Sequence, residues 1–209
     1  MKKSHLKYII KEIIKEEIDG PGIFVPHDLE GRKEKKKQRD HRKIQDYIKN
    51  GSKGNLDLEN SQITELPDNL TVDGSLNLDY TPISKLPDNL KVSGGLYLSS
   101  TPITTLPDNL TVDGSLNLDY TPITKLPDNL KVSGGLYLSG TQITTLPDNL
   151  TVGRDLDLIA SQIVTLPDNL TVDGSLWLSN TPLSKKYSKE EIRDIIERQG
   201  GDVGITIYI

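Results

Sequence analysis

The chain has 209 residues, of which 34% are hydrophobic, with one Phe, one Trp, one Met and no Cys. A chain so lean in bulky side chains is either disordered or repeats one small buried unit many times, and the lack of cysteine excludes disulfide staples, thiolate metal sites and cysteine nucleophiles and fits a reducing compartment. The net charge of −5 is unevenly divided, with 14 Lys/Arg against 9 Asp/Glu in residues 1–50 and 11 against 21 in residues 51–209.

Residues 4–18 place Leu6, Ile9, Ile10, Ile13, Ile14 and Ile18 on one stripe at helical spacing, with Ser4 as N-cap and Asp19-Gly20-Pro21 as the stop. Such a helix can dock on the open end of a repeat array or self-associate. A membrane-surface role is the alternative, opposed by Glu12, Glu16 and Glu17 among the lysines. Lys and Glu interrupt the apolar residues throughout, so no secretory signal is read, and no stretch is long and apolar enough to span a bilayer. The expected location is cytoplasmic or within a larger assembly. The run Arg32–Lys43, RKEKKKQRDHRK, reads as a solvated helix face leading to Ile44, Tyr47 and Ile48. Nucleic acid is its alternative partner, although no aromatic residues are interleaved with the charges.

From position 51 the chain aligns with itself every twenty residues. Residues 71–90 and 111–130 differ only at Ser84 versus Thr124, and residues 91–110 and 131–150 only at Ser100/Gly140 and Pro102/Gln142. Alternate repeats are thus closer than neighbours, as duplication of a forty-residue pair would leave them. Six positions per repeat are aliphatic, in the second repeat Val72, Leu76, Leu78, Ile83, Leu86 and Leu90. The L-x-L alternation predicts a short strand with one buried face. The glycine before it and the Pro-Asp-Asn run predict corners. Each coil is then a strand, a corner, an extended return stretch and another corner. About seven coils, stacked at strand spacing, bury leucines that one coil could not bury alone.

The motif L-x-L-x-x-(T/S)-x-I-x-x-L-P resembles the leucine-rich-repeat signature, and its short length and L-P step are similar to those of secreted bacterial leucine-rich-repeat effectors and of bacterial and bacteriophage repeat proteins. The resemblance implies a mainly β repeat solenoid. The family's Asn position is here Thr81, Thr101, Thr121, Thr141 and Thr181, with Ser61 and Ser161. A hydroxyl at that point can satisfy a backbone group in the turn.

The repeat ends after Leu183. Ser188-Lys189-Glu190-Glu191 is a capping box ahead of Ile192, Ile195 and Ile196, and Val203–Ile209 reads as one closing strand. The expected organisation is a helical, basic arm over 1–50, a solenoid over 51–184 and a helix-plus-strand cap over 185–209.

In each L-x-L strand the central residue points outward. That column is Asp57, Asn77, Tyr97, Asn117, Tyr137, Asp157 and Trp177, followed two residues on by Glu59, Asp79, Ser99, Asp119, Ser139, Ile159 and Ser179. Tyr97, Tyr137 and Trp177 on a rigid sheet are residue types of binding hot spots, although strands also favour aromatics that simply shield one another. Coil six departs most, with Arg154 where others have Gly and Ile159 where others are polar. His5, His27 and His41 all lie outside the repeats and at no metal-ligand spacing, and no nucleophile or phosphate-loop motif is present. The column Asp68, Asp88, Asp108, Asp128, Asp148, Asp168 reads as turn formers, with calcium as the lesser alternative, and the Asn-Leu-Thr triplets match glycosylation acceptors only as by-products of the repeat. The expected function is a non-catalytic, cofactor-free scaffold for a protein partner. The alternative is a structural component of a larger, viral-type assembly anchored through the N-terminal arm.

Overall fold

The computed structural model describes residues 27–108, 110–204 and 206–209. The helix expected over residues 4–18, with its membrane and self-association readings, lies outside the described residues. The compact unit that holds the repeats runs from Lys37 to Ile209. Helix α1 spans His27–Lys49.

The L-x-L motifs form the odd strands β1 (Leu56–Asp57), β3 (Leu76–Asn77), β5 (Leu96–Tyr97), β7 (Leu116–Asn117), β9 (Leu136–Tyr137), β11 (Leu156–Asp157) and β13 (Leu176–Trp177). They pair in parallel at a constant offset of twenty residues, Leu56 on Leu76, Leu76 on Leu96 and so on to Leu176. The return stretch after each corner forms no regular strand, although single bonds link neighbouring coils there, Val164 N–H to the Thr144 carbonyl and Leu183 N–H to the Ile163 carbonyl, both at 3.1 Å. A second sheet, which the periodicity alone does not separate from that return stretch, arises from the Thr/Lys-Val pairs. These are β2 (Thr71–Val72), β4 (Lys91–Val92), β6 (Thr111–Val112), β8 (Lys131–Val132), β10 (Thr151–Val152) and β12 (Thr171–Val172). Two residues suffice for each strand because the next coil, not the strand's own length, supplies its partners.

Between the sheets runs one continuous apolar core, with Leu76, Leu96, Leu116, Leu136 and Leu156 fully buried in a single file. Burying a side chain of this size contributes ~1.5–3 kcal/mol, and each leucine obtains that burial only between its two neighbouring coils.

The threonine column closes the corner after each odd strand. The hydroxyls of Thr81, Thr101, Thr121, Thr141 and Thr181 each donate to the carbonyl three residues back, all at 2.7 Å. Ser61 and Ser161 occupy the same buried position, yet neither hydroxyl has a partner. The expected equivalence of Ser and Thr here therefore fails. The β-branch of threonine restricts χ1 and holds its hydroxyl on the carbonyl, whereas serine lacks that constraint.

Coils approach closely at the glycine before β3, β5, β7, β9 and β13. A Cβ on Gly94 would stand 2.7 Å from the Gly74 carbonyl carbon, and one on Gly114 2.6 Å from that of Gly94. Coil six solves the same problem differently. Arg154 occupies the glycine position and is exposed, while Gly153, one residue earlier, packs where a Cβ would collide with the Ser133 carbonyl oxygen. The glycine has moved one step along the chain, and Arg154 is tolerated because of it.

Both ends of the Lys37–Ile209 unit are closed. At the first coil, Ile44 is buried and the Asp40 carboxylate accepts the Gln62 N–H at 2.9 Å. Lys43 Nζ donates to the Asp57 carbonyl, and the Tyr47 hydroxyl lies 2.7 Å from the Ser52 carbonyl oxygen. At the other end, Thr181 caps a short helix α2, Pro182–Lys186, that begins inside the stretch expected to be solenoid. Helix α3, Lys189–Arg198, starts at the predicted capping box of Ser188 with Glu191 and buries Ile192 and Ile196. The expected single closing strand is instead two, β14 (Asp202–Val203) on β12 and β15 (Ile207–Tyr208) on β13. They make a shortened last coil that lengthens both sheets, to seven and eight strands. Gly204 lies between them, where the chain must pass from one sheet to the other.

Substituting Thr at both Ser61 and Ser161 is expected to supply the missing hydrogen bonds and stabilise the fold by about 1–3 kcal/mol, or ~2–4 °C in melting temperature per kcal/mol. Thermal melts followed by circular dichroism check this, and an unchanged or lower midpoint would refute the assignment.

Candidate binding face

The outward residues of the odd strands form one unbroken column, since register places Asp57, Asn77, Tyr97, Asn117, Tyr137, Asp157 and Trp177 successively side by side. Tyr208 of the last coil adds an eighth member. Asp57 is exposed and the other sequence-predicted members are half-buried. Trp177 stacks on Tyr208 at a centroid distance of 3.8 Å and 11° between planes, so one face of the indole is covered by the chain itself. Ile159 is half-buried rather than fully exposed, and Arg154 stands three residues upstream of the column at its margin.

The polar members are committed to the backbone. The Asn77 and Asn117 side-chain oxygens accept the N–H groups of Asp79 and Asp119 at 3.0 and 2.8 Å. Asp79 and Asp119 in turn accept from Ser99 N–H and Ser139 N–H, at 2.6 and 2.8 Å, in the coil that follows. Asp157 accepts from Ile159 N–H at 2.9 Å and from the Ser139 hydroxyl at 2.8 Å. Burial raises the Asp79 carboxyl above its ordinary range; the Ser99 N–H opposes the shift, and repulsion from Glu59 and Asp57 adds to it. Burial likewise raises Asp119, opposed by Ser139 N–H and reinforced by Asp157 and Asp79. The face is thus a field of carboxylates held close enough to repel one another.

The forty-residue alternation has a steric cause on this face. Gly95 and Gly135 precede Tyr97 and Tyr137 by two residues, and each tyrosine ring folds back over its glycine; a Cβ on Gly95 would stand 2.8 Å from the Tyr97 hydroxyl. Where the outward residue is the smaller Asn77 or Asn117, Ser75 or Ser115 replaces the glycine and accepts the N–H of Gly95 or Gly135 at 3.0 or 3.1 Å. G-L-Y and S-L-N are therefore matched sets.

Two aromatic residues escaped the sequence reading. Tyr80 and Tyr120 follow the strands at the corner, with φ of 57° each, and are 57% and 67% exposed. A left-handed tyrosine costs about 1–2 kcal/mol, so it is unexpected from propensity. The available signal was the alternation itself, Tyr80 and Tyr120 against Ser100 and Gly140. The Tyr120 ring lies where a Cβ on Gly140 would be, 2.7 Å from its Cδ1.

Among the described residues no three histidine or carboxylate side chains are grouped to hold a metal ion, and no helix is long and apolar enough to cross a membrane. His41 Nδ1 is 2.8 Å from the Lys37 carbonyl of its own helix.

Twenty-residue coils, an L-x-L parallel ladder and a hydroxyl-closed corner make this a leucine-rich-repeat-type solenoid with a helix at one end and a helix-and-strand cap at the other. Among solved structures it is similar to a Shigella effector leucine-rich-repeat domain, at 20% identity and a TM-score of 0.44, over 97% of this chain and 96% of that one. No family model and no curated protein matches the chain.

Gly95→Ser is expected to displace the Tyr97 ring and cost about 1–3 kcal/mol by overpacking, and Tyr97→Asn in the same chain to recover most of it, because Ser75 and Asn77 already coexist. A double-mutant cycle with no coupling would refute the matched-set explanation. A carboxyl whose pKa is raised in the folded state opposes folding once ionised, so its contribution to stability improves as pH falls through the folded value and vanishes below the unfolded one. Asp79→Asn with Asp119→Asn should therefore raise the melting temperature at pH 7 and match the parent near pH ~3.5. The gain should be under about 1 kcal/mol, since both groups are partly solvated.

Proposed function

We infer that the chain is a non-catalytic scaffold that presents the outward face of its eight-stranded sheet to a protein partner. The observation that carries this reading is the unbroken column from Asp57 through Asn77, Tyr97, Asn117, Tyr137 and Asp157 to Trp177, with Ile159 and Arg154 at its margin. Rigid, half-buried aromatics interleaved with polar groups lose little freedom on binding and offer the residue types that dominate interface energetics. Asn77, Asp79, Asn117 and Asp119 on the face accept backbone N–H bonds, which supports the reading of a surface whose polar groups serve the fold. Tyr80 and Tyr120 extend the face at its corner.

With the full chain as bait, Tyr97→Ala together with Tyr137→Ala is expected to weaken capture of the partner about thirtyfold, the equivalent of one hot spot of about 2 kcal/mol, while the fold still melts cooperatively. Capture that survives both substitutions and is lost on reversing charges between Arg32 and Lys43 would overturn this reading in favour of anchoring through the N-terminal arm.

A further inference from the structure

The three outward rows of the sheet face, which begin at Asp57, Glu59 and Asn60 and recur through Trp177, Ser179 and Asn180, contain five carboxylates and no Lys or Arg. The carboxylates are Asp57, Glu59, Asp79, Asp119 and Asp157. The cations of the repeats are elsewhere, Lys91 and Lys131 on the second sheet, Lys85 and Lys125 on the return stretch, Lys53 ahead of β1 and Arg154 at the margin of the column, while Lys43 of α1 reaches the Asp57 carbonyl at the first coil. A field of one sign on a flat surface attracts a complementary surface and sets its position.

The chain carries such a surface. Along α1, Lys35, Arg42 and Lys49 recur every seven residues, share one helix face and are all exposed; the exposed Asp46 lies beside them, four residues after Arg42, and leaves the face with a surplus of cations. Arg42 and Lys49 lie on the side of the helix opposite Ile44, so docking of Ile44 and Tyr47 on the first coil leaves them free to meet another molecule. Seven helical residues advance about 10.5 Å. Asp79, Asp119 and Asp157 lie on the second, fourth and sixth coils, and two coils at strand spacing advance about 9.6 Å. Laid across the strands, two of the cations fall into step with Asp79 and Asp119 to within about 1 Å. Asp157 stands two residues earlier in its coil, in the row of Asp57, so the third cation must lean about 6.6 Å along the strand to meet it, a distance that a long Lys or Arg side chain spans.

We propose that the acidic sheet face of one copy receives the basic face of α1 from a second copy, with Lys35, Arg42 and Lys49 opposite Asp79, Asp119 and Asp157, so that the chain self-associates head to tail. This assigns an occupant to the face described above as a protein-binding surface and rests on that reading. The contact joins two different surfaces, so it propagates to chains or rings instead of stopping at a two-fold dimer. It also places cations against carboxylates that repel one another and that backbone N–H groups already hold in place.

Sedimentation velocity on the full chain tests it. At about 50 mM salt the average mass is expected to exceed that of the monomer and to grow with protein concentration, and at about 500 mM, where the Debye length is only a few ångströms, to fall back to it. A helix variant (Lys35→Glu, Arg42→Glu, Lys49→Glu) and a face variant (Asp79→Asn, Asp119→Asn, Asp157→Asn) should each associate about tenfold or more weakly. Mixed together they should form a 1:1 pair, because the helix variant keeps its face and the face variant keeps its helix. Glutamate preserves helix propensity and asparagine keeps the acceptor oxygen, and circular dichroism confirms that both variants are folded. A monomer at every salt concentration, association that both variants retain, or variants that do not complement one another would each overturn the proposal. So would a short DNA duplex that binds the α1 face of a chain that is itself monomeric. If the chain is monomeric while capture of a foreign protein still requires Tyr97 and Tyr137, self-assembly fails and the binding face stands; if neither is seen, both fail.

Discussion

Every coil must come within strand-pairing distance of the next along two sheets, and that closeness selects the residue in each column. Where backbone meets backbone only glycine fits, as at Gly94 and Gly114. Where the chain turns, a hydroxyl adds a second donor to the carbonyl that already accepts the turn's N–H, as at Thr81 and Thr121. Between the sheets, aliphatic side chains stack on their own images one coil away. The stability of such an array comes from interfaces between like units, so a defect in one coil is felt by its two neighbours and little beyond. Coil six shows the latitude this leaves: Arg154 replaces a glycine, and Gly153 restores the close approach one residue earlier.

The repeat length, the inward leucines, the outward column and the capping box of α3 were all legible in the sequence, because each is a local pattern that a fixed period amplifies. What was not legible depends on a neighbouring coil. Thr-Val and Lys-Val are too short to read as strands and become a sheet only when stacked. Ser61 and Ser161 look interchangeable with threonine until the hydroxyl's partner is sought. The last seven residues carry the alternation of one strand, yet Gly204 divides them between two sheets. Tyr80 and Tyr120 occupy a left-handed corner that propensity would give to Gly or Asn, so only the forty-residue alternation marked them.

That alternation ties packing to the surface. Tyr97 and Tyr137 each fold over a glycine two positions earlier, so these tyrosines cannot change independently of the backbone contacts beneath them, whereas Trp177, which follows Ser175, stacks on Tyr208 instead. Asp79 and Asp119 are bound in the same way, each carboxylate holding the N–H of the following coil while adding charge to the face. The chemistry that the face exposes and the cohesion of the array thus share the same side chains, and the face is as rigid as the stack that carries it.

Thr181 stands in the same column as Thr141 and makes the same bond to the carbonyl three residues back, yet its hydroxyl also accepts the N–H of Ser184 and so begins α2. The corner that continues every earlier coil here ends the series, through a change in only the few residues that follow it. Array length is therefore a modular quantity. Forty residues can be gained or lost ahead of Thr181 with both ends intact and every matched set complete, so that relatives of different reach can arise by unequal exchange without redesign of either cap.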